Sequence, residues 1–169
     1  MFLQAIVLFA VPAVFALGAV TDVISYRIPT WIPGLLLALF AAAAPLSGMQ
    51  IEAVGLHVAV FVAALVFGMG LFALNVVGGG DAKFFAAVAL WMGPAMIAKY
   101  TVVFAFVGGA FAVLILVLRR MPLPASASHF PVLGQLLRPT SGMPYGVALG
   151  IGALIVLPGT FLFAKALTP

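Results

Sequence analysis

Seven basic and three acidic side chains are all the formal charge in a chain of 169 residues, and 66% of its positions are hydrophobic. A soluble globule needs far more polar surface than that to cover its interior. With a mean hydropathy of +1.37, the composition predicts an integral membrane protein. A spanning helix takes about 20 mostly apolar residues, so the chain has room for about six crossings and no separate soluble domain. Residues 1–169 are therefore expected to form a single membrane domain of the all-α class.

Charge, glycine and proline divide the sequence into apolar runs at 2–20, 31–45, 53–77, 84–98, 101–118 and 144–167. The run 84–98 is short and is interrupted by Gly93-Pro94, where proline opposes a continuous helix. With the N-terminus outside the cytoplasm, the first, third and fifth connections face in and carry Arg27, Lys83, Arg119, Arg120 and Arg138. Only Lys99 and Lys165 then face out, as the positive-inside rule requires. Fusing 84–118 into one crossing would set Arg27 and Lys83 against the other three arginines. The expectation is a polytopic protein of six transmembrane helices with both termini outside. No basic residue precedes Arg27, so the first run reads as a retained helix rather than a cleaved signal. The connection 119–143 holds Pro122, Pro124, Pro131 and Pro139 among Phe130, Leu133, Leu136 and Leu137. It fits a segment lying in the interface and an ordinary cytoplasmic loop equally well.

Composition also narrows the chemistry. The absence of cysteine removes disulfides, thiol nucleophiles and cysteine zinc sites. His57 and His129 stand far apart without ligand-like companions, so neither a metal nor a cofactor is expected. In so apolar a chain a net charge of +4 points to anionic lipid headgroups rather than to nucleic acid.

The only two aspartates, Asp22 and Asp81, each end an apolar run close to a basic residue. Two crossings separate them, so parity returns both to the cytoplasmic face. Asp22 precedes Arg27, Ile28, Pro29 and Thr30; Pro29 disfavours helix at Ile28, and Thr30 is a candidate N-cap for the next helix. On its own Asp22 could be a solvated partner of Arg27. Asp81 follows Gly78-Gly79-Gly80 and precedes Lys83. The glycines would let the backbone leave helical geometry beside a watery cavity; without a Walker spacing or a preceding strand, a phosphate loop is a weak alternative. A charged aspartate deep in a membrane helix costs roughly 2.5–3.5 kcal/mol, which makes it a functional residue by default. Two neighbouring carboxylates share a proton, and such a pair can activate water with one member while the other polarises a carbonyl. Near the C-terminus, Pro144 fits a first helical turn, Tyr145 brings a hydroxyl toward the cytoplasmic face, and Gly142, Gly146 and Gly150 make a small-residue stripe suited to helix packing. His57 and Asn75 read as hydrogen-bonding residues between helices, and Glu52 falls on the outer side.

Asp22 with Ile28-Pro29, then Gly78-Gly79-Gly80-Asp81-Ala82-Lys83, then Met143-Pro144-Tyr145-Gly146-Val147-Ala148: in this order the chain resembles the type IV prepilin peptidases, and more narrowly the short form serving Tad/Flp pili. The resemblance spans nearly the whole sequence. It implies an aspartic endopeptidase of the bacterial inner membrane that removes a short basic leader from prepilins on the cytoplasmic side. Asp22 and Asp81 would be the catalytic pair, and Gly78, Gly79, Gly80 and Lys83 the loop presenting Asp81. Arg27, Pro29, Thr30, Pro144, Tyr145 and Gly146 would shape the site or touch substrate. Larger relatives carry a cysteine-bearing insertion and N-methylate the new terminus; this chain has neither cysteine nor insertion, which implies cleavage without methylation. Relatives of the short form usually have asparagine where Thr30 stands. The implied partners are prepilin helices and anionic lipid. Competing classes are a small proton- or ion-coupled transporter and a noncatalytic assembly platform. Proteases of the presenilin type also use a glycine-x-glycine-aspartate element, but their first aspartate usually follows tyrosine, whereas Asp22 follows Thr21.

Overall fold

The structure is a computed structural model and describes residues 1–120, 134, 136 and 143–168. The described residues are helical throughout their regular elements, with no strand among them. Helix α1 covers Phe2–Ser25, α2 Trp31–Leu46, α3 Ile51–Ala73 and α4 Gly79–Arg120. After the interval that follows α4, α5 covers Tyr145–Val156 and α6 Phe161–Leu167, with a 3₁₀ turn at Leu157–Gly159 between them. Helices α1, α3 and α4 are long and apolar enough to cross a membrane, and α5 with α6 would make a fourth span bent by 58°. The outer faces carry exposed Val62, Val66, Phe67, Phe106, Val113 and Leu116, an apolar exterior that only lipid satisfies. The molecule is a membrane protein.

Helix α4 is a hairpin. A straight helix would hold Phe85 and Tyr100 about 22 Å apart, yet their rings stack at 5.7 Å, and Phe85 meets Phe104 at 5.6 Å. These pairs straddle Gly93, whose φ of 59° and ψ of −175° break the helix. Arms 79–92 and 94–120 therefore run antiparallel. The bend falls at Gly93-Pro94 and not at residues 99–100, where the sequence runs were divided; Lys99 and Tyr100 lie inside the second arm. Pro94 has no N–H to return to the Leu90 carbonyl. Nδ1 of His57, on α3, donates to that oxygen at 2.7 Å instead, and the imidazole lies against Gly93, where any Cβ would collide with it. His57 thus bonds a neighbouring helix, as expected of it.

Close contacts set the other seams. Apolar attraction cannot drive association within lipid, so small residues that admit close approach do much of the work. A Cβ on Gly150 would lie 2.7 Å from the Phe15 carbonyl, and one on Gly152 would lie 2.9 Å from Phe104 Cβ. Helix α5 consequently sits against both α1 and the second arm of α4. Trp91 Nε1 donates to the Leu36 carbonyl at 3.0 Å, and the Tyr100 hydroxyl to the Leu149 carbonyl at 3.3 Å. The core between these seams holds Phe15, Ile32, Leu36, Phe84, Trp91 and Leu157, all nearly fully buried.

Three local expectations are corrected. The run 144–167 is broken, because Pro158-Gly159 ends α5 and Thr160 starts α6, its hydroxyl accepting from the Phe163 amide at 3.3 Å. Thr30 occupies the N-cap position of α2, but its side chain makes no capping bond. Asn75 does not bridge helices; it is exposed beyond the end of α3 and takes a left-handed φ of 58°, which asparagine tolerates. The connection 119–143, apart from its ends and residues 134 and 136, lies outside the described residues, as do Arg138, His129 and Gly142.

Candidate functional site

Two helix N-termini and one helix C-terminus converge on a cavity of about 310 Å³. Helix α1 enters by its C-terminal end, one turn before which stands Asp22, 4% exposed. The Gly146 amide, in the first turn of α5, donates to Asp22 Oδ2 at 2.6 Å. First-turn amides have no partner inside their own helix, and their exposed dipoles favour a carboxylate. Asp22 thus caps α5 from a different helix. Pro144 immediately precedes that turn with φ −74° and ψ 91°, which starts the helix where its free amides face Asp22. The glycine is required by space: a Cβ on Gly146 would lie 2.7 Å from Asp22 Cβ and 2.8 Å from Oδ2. Among the described residues no ion pair joins Asp22 to Arg27, so the solvated pair considered from sequence is not formed.

Asp81 stands in the first turn of α4, and the amide of Gly78, the residue before the helix, bonds its carboxylate. This is the backward half of a capping box, made within one helix. The glycine triplet does not leave helical geometry as expected. Gly79 and Gly80 are helical, and none of the three has a positive φ. Their smallness serves approach: a Cβ on Gly80 would lie 3.1 Å from the Ile28 carbonyl oxygen and 3.3 Å from its nitrogen. The turn after α1 therefore lies directly on the first turn of α4, and that contact brings Asp22 and Asp81 to one cavity.

Arg27, Thr30, Gly78, Gly79, Gly80 and Lys83 line the same cavity. Pro29 does not line it; its carbonyl accepts from the Ile32 amide at 3.0 Å and closes the turn into α2. Tyr145 does not line it and is 45% exposed. Two lining residues are not among the candidate site residues read from sequence, Tyr26 and Ile28, the latter read only as part of the Ile28-Pro29 motif. Tyr26 ends α1 in the left-handed region, φ 53° and ψ 30°, its amide bonded to the Asp22 carbonyl at 2.8 Å. That conformation costs roughly 1–2 kcal/mol for an L-residue. Its hydroxyl is buried without a hydrogen-bond partner. Burial pushes the Tyr26 phenol above its ordinary value, opposed by the Arg119 guanidinium and reinforced by the Asp22 carboxylate. Arg119, at the far end of α4, donates from Nε and Nη2 to the Leu136 carbonyl at 3.2 and 2.9 Å. Its field at Tyr26 brings both ends of the α4 hairpin to the Asp22 side of the molecule.

Two carboxylates bonded by backbone amides, with a phenol, an arginine and a lysine around them, make a site that can exchange protons with a bound water and neutralise charge on a peptide. The model of the type IV leader peptidase family matches residues 9–118 of this chain, a stretch that contains both aspartates and the α4 hairpin. No curated protein and no solved structure matches it.

Proposed function

The chain belongs to the type IV leader peptidase family, and on that premise we propose that it is an aspartic endopeptidase removing the basic leader of Flp-type prepilins at the cytoplasmic face of a bacterial inner membrane. The observation that carries this reading is the entry of Asp22 and Asp81, from separate helix ends, into one cavity. One carboxylate takes a proton from water as the water oxygen attacks the scissile carbonyl carbon. The other, protonated, donates to the carbonyl oxygen. Collapse of the tetrahedral intermediate breaks the carbon–nitrogen bond, and the proton first taken from water passes to the departing amine. Neither step needs a cofactor, and no N-methylation accompanies them.

The topology proposed with it has six crossings and both termini outside. The α4 hairpin supplies two of these, its bend lying at the end opposite Asp81 and Arg119. Arm 79–92 spans only about 20 Å, less than the roughly 30 Å of a hydrocarbon core, which would leave Asp81 recessed from the headgroup level and reachable by water through the cavity. A prepilin helix would pack on the apolar exterior, with its leader charges among anionic headgroups.

The test is co-expression with a Flp-type prepilin, reading leader removal as a mass shift for wild type, Asp22→Asn and Asp81→Asn. Cleavage by wild type alone is the expected result. Cleavage that survives in either variant removes that aspartate from the chemistry, and an uncleaved prepilin with wild type defeats the substrate assignment.

A further inference from the structure

Tyr26 is the neutral donor in the cavity wall to which the chemistry above gives no task. Among the described residues its hydroxyl is the single buried side-chain polar atom without a hydrogen-bond partner, whereas buried hydroxyls are nearly always paired. Its backbone is held in the left-handed region, which bulky residues seldom enter. Helix termination accounts for neither feature. Glycine or asparagine would end α1 with less strain, and phenylalanine would fill the same volume without stranding a hydroxyl. Strain of this kind persists where surrounding structure enforces it, and it gathers at functional sites. Here Tyr26 lines the cavity together with Asp22, Asp81, Arg27 and Lys83, its hydroxyl covered in the free protein.

We propose that the Tyr26 hydroxyl is a substrate-binding group, donating a hydrogen bond to a main-chain carbonyl of the peptide drawn into the cavity, an acceptor that the free protein lacks. This rests on the peptidase reading above. An extended peptide presents a carbonyl on each side of the scissile bond, and it needs neutral donors to hold those carbonyls without competing for the dyad's proton. The Gly146 and Gly78 amides are already engaged by the two aspartates. Tyr26 is free to donate, and burial keeps the proton on its phenol. The ring is rigid, so little entropy is lost when the bond forms.

Tyr26→Phe tests this, because it keeps the ring and removes the one atom at issue. Purified wild type and variant are reconstituted in the same lipid, and cleavage of a synthetic prepilin segment is followed against pH alongside the thermal midpoint of each protein. The expected result is a fall in kcat/KM of about tenfold or more, a thermal midpoint unchanged or higher because no resting bond is lost, and an acid limb at the same pH. Equal kcat/KM overturns the proposal. A lowered midpoint overturns it in favour of a structural role, and a displaced acid limb overturns it by making Asp22, not substrate, the acceptor. Failure of the wild type to cleave any prepilin segment defeats the peptidase reading itself, whereas wild-type cleavage matched by the variant defeats only the role of Tyr26.

Discussion

The Gly146 amide reaches Asp22 Oδ2 at 2.6 Å across 124 positions of sequence, tying the end of the first helix to the start of the last large one. The bond exists because α5 begins with free amides and because residue 146 has no side chain. Gly146→Ala should therefore act at a distance from any substrate. The added methyl must displace either Asp22 or α5, with a stability cost of about 1–3 kcal/mol and a loss of prepilin cleavage beyond what that cost explains. Thermal denaturation in detergent, run beside a cleavage assay at a temperature where the variant is fully folded, separates the two effects.

Asp22→Asn and Asp81→Asn should behave alike in cleavage and differently in structure. On the proposed mechanism either change removes a group that carries a proton, and each should lower the rate by about 10²- to 10⁴-fold or more. An asparagine at 22 can still accept from the Gly146 amide through its carbonyl oxygen, so that variant should stay folded with α5 in place. Protection of α5 amides against hydrogen exchange reports this directly; exposed amides there would mean that the charge, and not merely an acceptor, holds the helix.

Much of this site is written in the sequence, and what is hidden is hidden for a physical reason. Two aspartates in so apolar a chain are legible as a pair from their cost in lipid and from counting crossings. The need for small residues beside them is legible too, but the purpose is not. Gly78-Gly79-Gly80 looks like a flexible loop, and only the position of Ile28 reveals that Gly80 permits a backbone contact while the turn stays helical. The bend in α4 has its signal at Gly93, since a glycine before proline can adopt what the break requires; Lys99 masks it, because a charge marks the end of a span in sequence. Tyr26 had no signal at all. Its strain is a backbone property set by packing, and its lack of a partner is visible only when every neighbour is in place.

His57 offers a change that should touch stability without touching chemistry. Its Nδ1 supplies the Leu90 carbonyl with the hydrogen bond that Pro94 denies it, and its ring stacks on Phe40 at 5.4 Å. His57→Phe keeps a ring against Phe40 and leaves the carbonyl unpaired in a low-dielectric interior. A stability loss of about 1–3 kcal/mol is expected, with kcat per folded molecule within about twofold of wild type. A denaturation curve and an active-fraction-corrected rate check it, and a large fall in kcat would make the bend part of the catalytic machinery.

Anionic lipid should matter to substrate capture. Arg27 and Lys83 at the cavity would oppose the basic leader of the proposed substrate, so on that proposal headgroup charge draws the leader in. Each leader lysine or arginine near an anionic surface gains about 1 kcal/mol, so moving the enzyme from bilayers containing phosphatidylglycerol to purely zwitterionic ones should raise KM about thirtyfold for a leader with two such residues and leave kcat nearly unchanged. Cleavage assays in the two kinds of proteoliposome measure it, and equal KM values would place leader recognition in the protein alone.

The Tyr26 phenol should make folding sensitive to alkali in a way that one methodical comparison isolates. Burial raises its proton affinity in the folded protein, with the nearby Asp22 carboxylate adding to the effect and Arg119 opposing it. The folded state therefore keeps this proton when the unfolded chain, titrating at about pH 10, has released it. The unfolded state then binds fewer protons, and stability falls as pH rises. The contribution is fully present below about pH 10 and is lost as pH climbs through the raised folded value. Wild type should lose thermal stability as pH rises above about 10, and Tyr26→Phe should lose less over the same interval. Parallel curves would mean that the phenol ionises as readily folded as unfolded, and that Arg119 offsets both burial and Asp22.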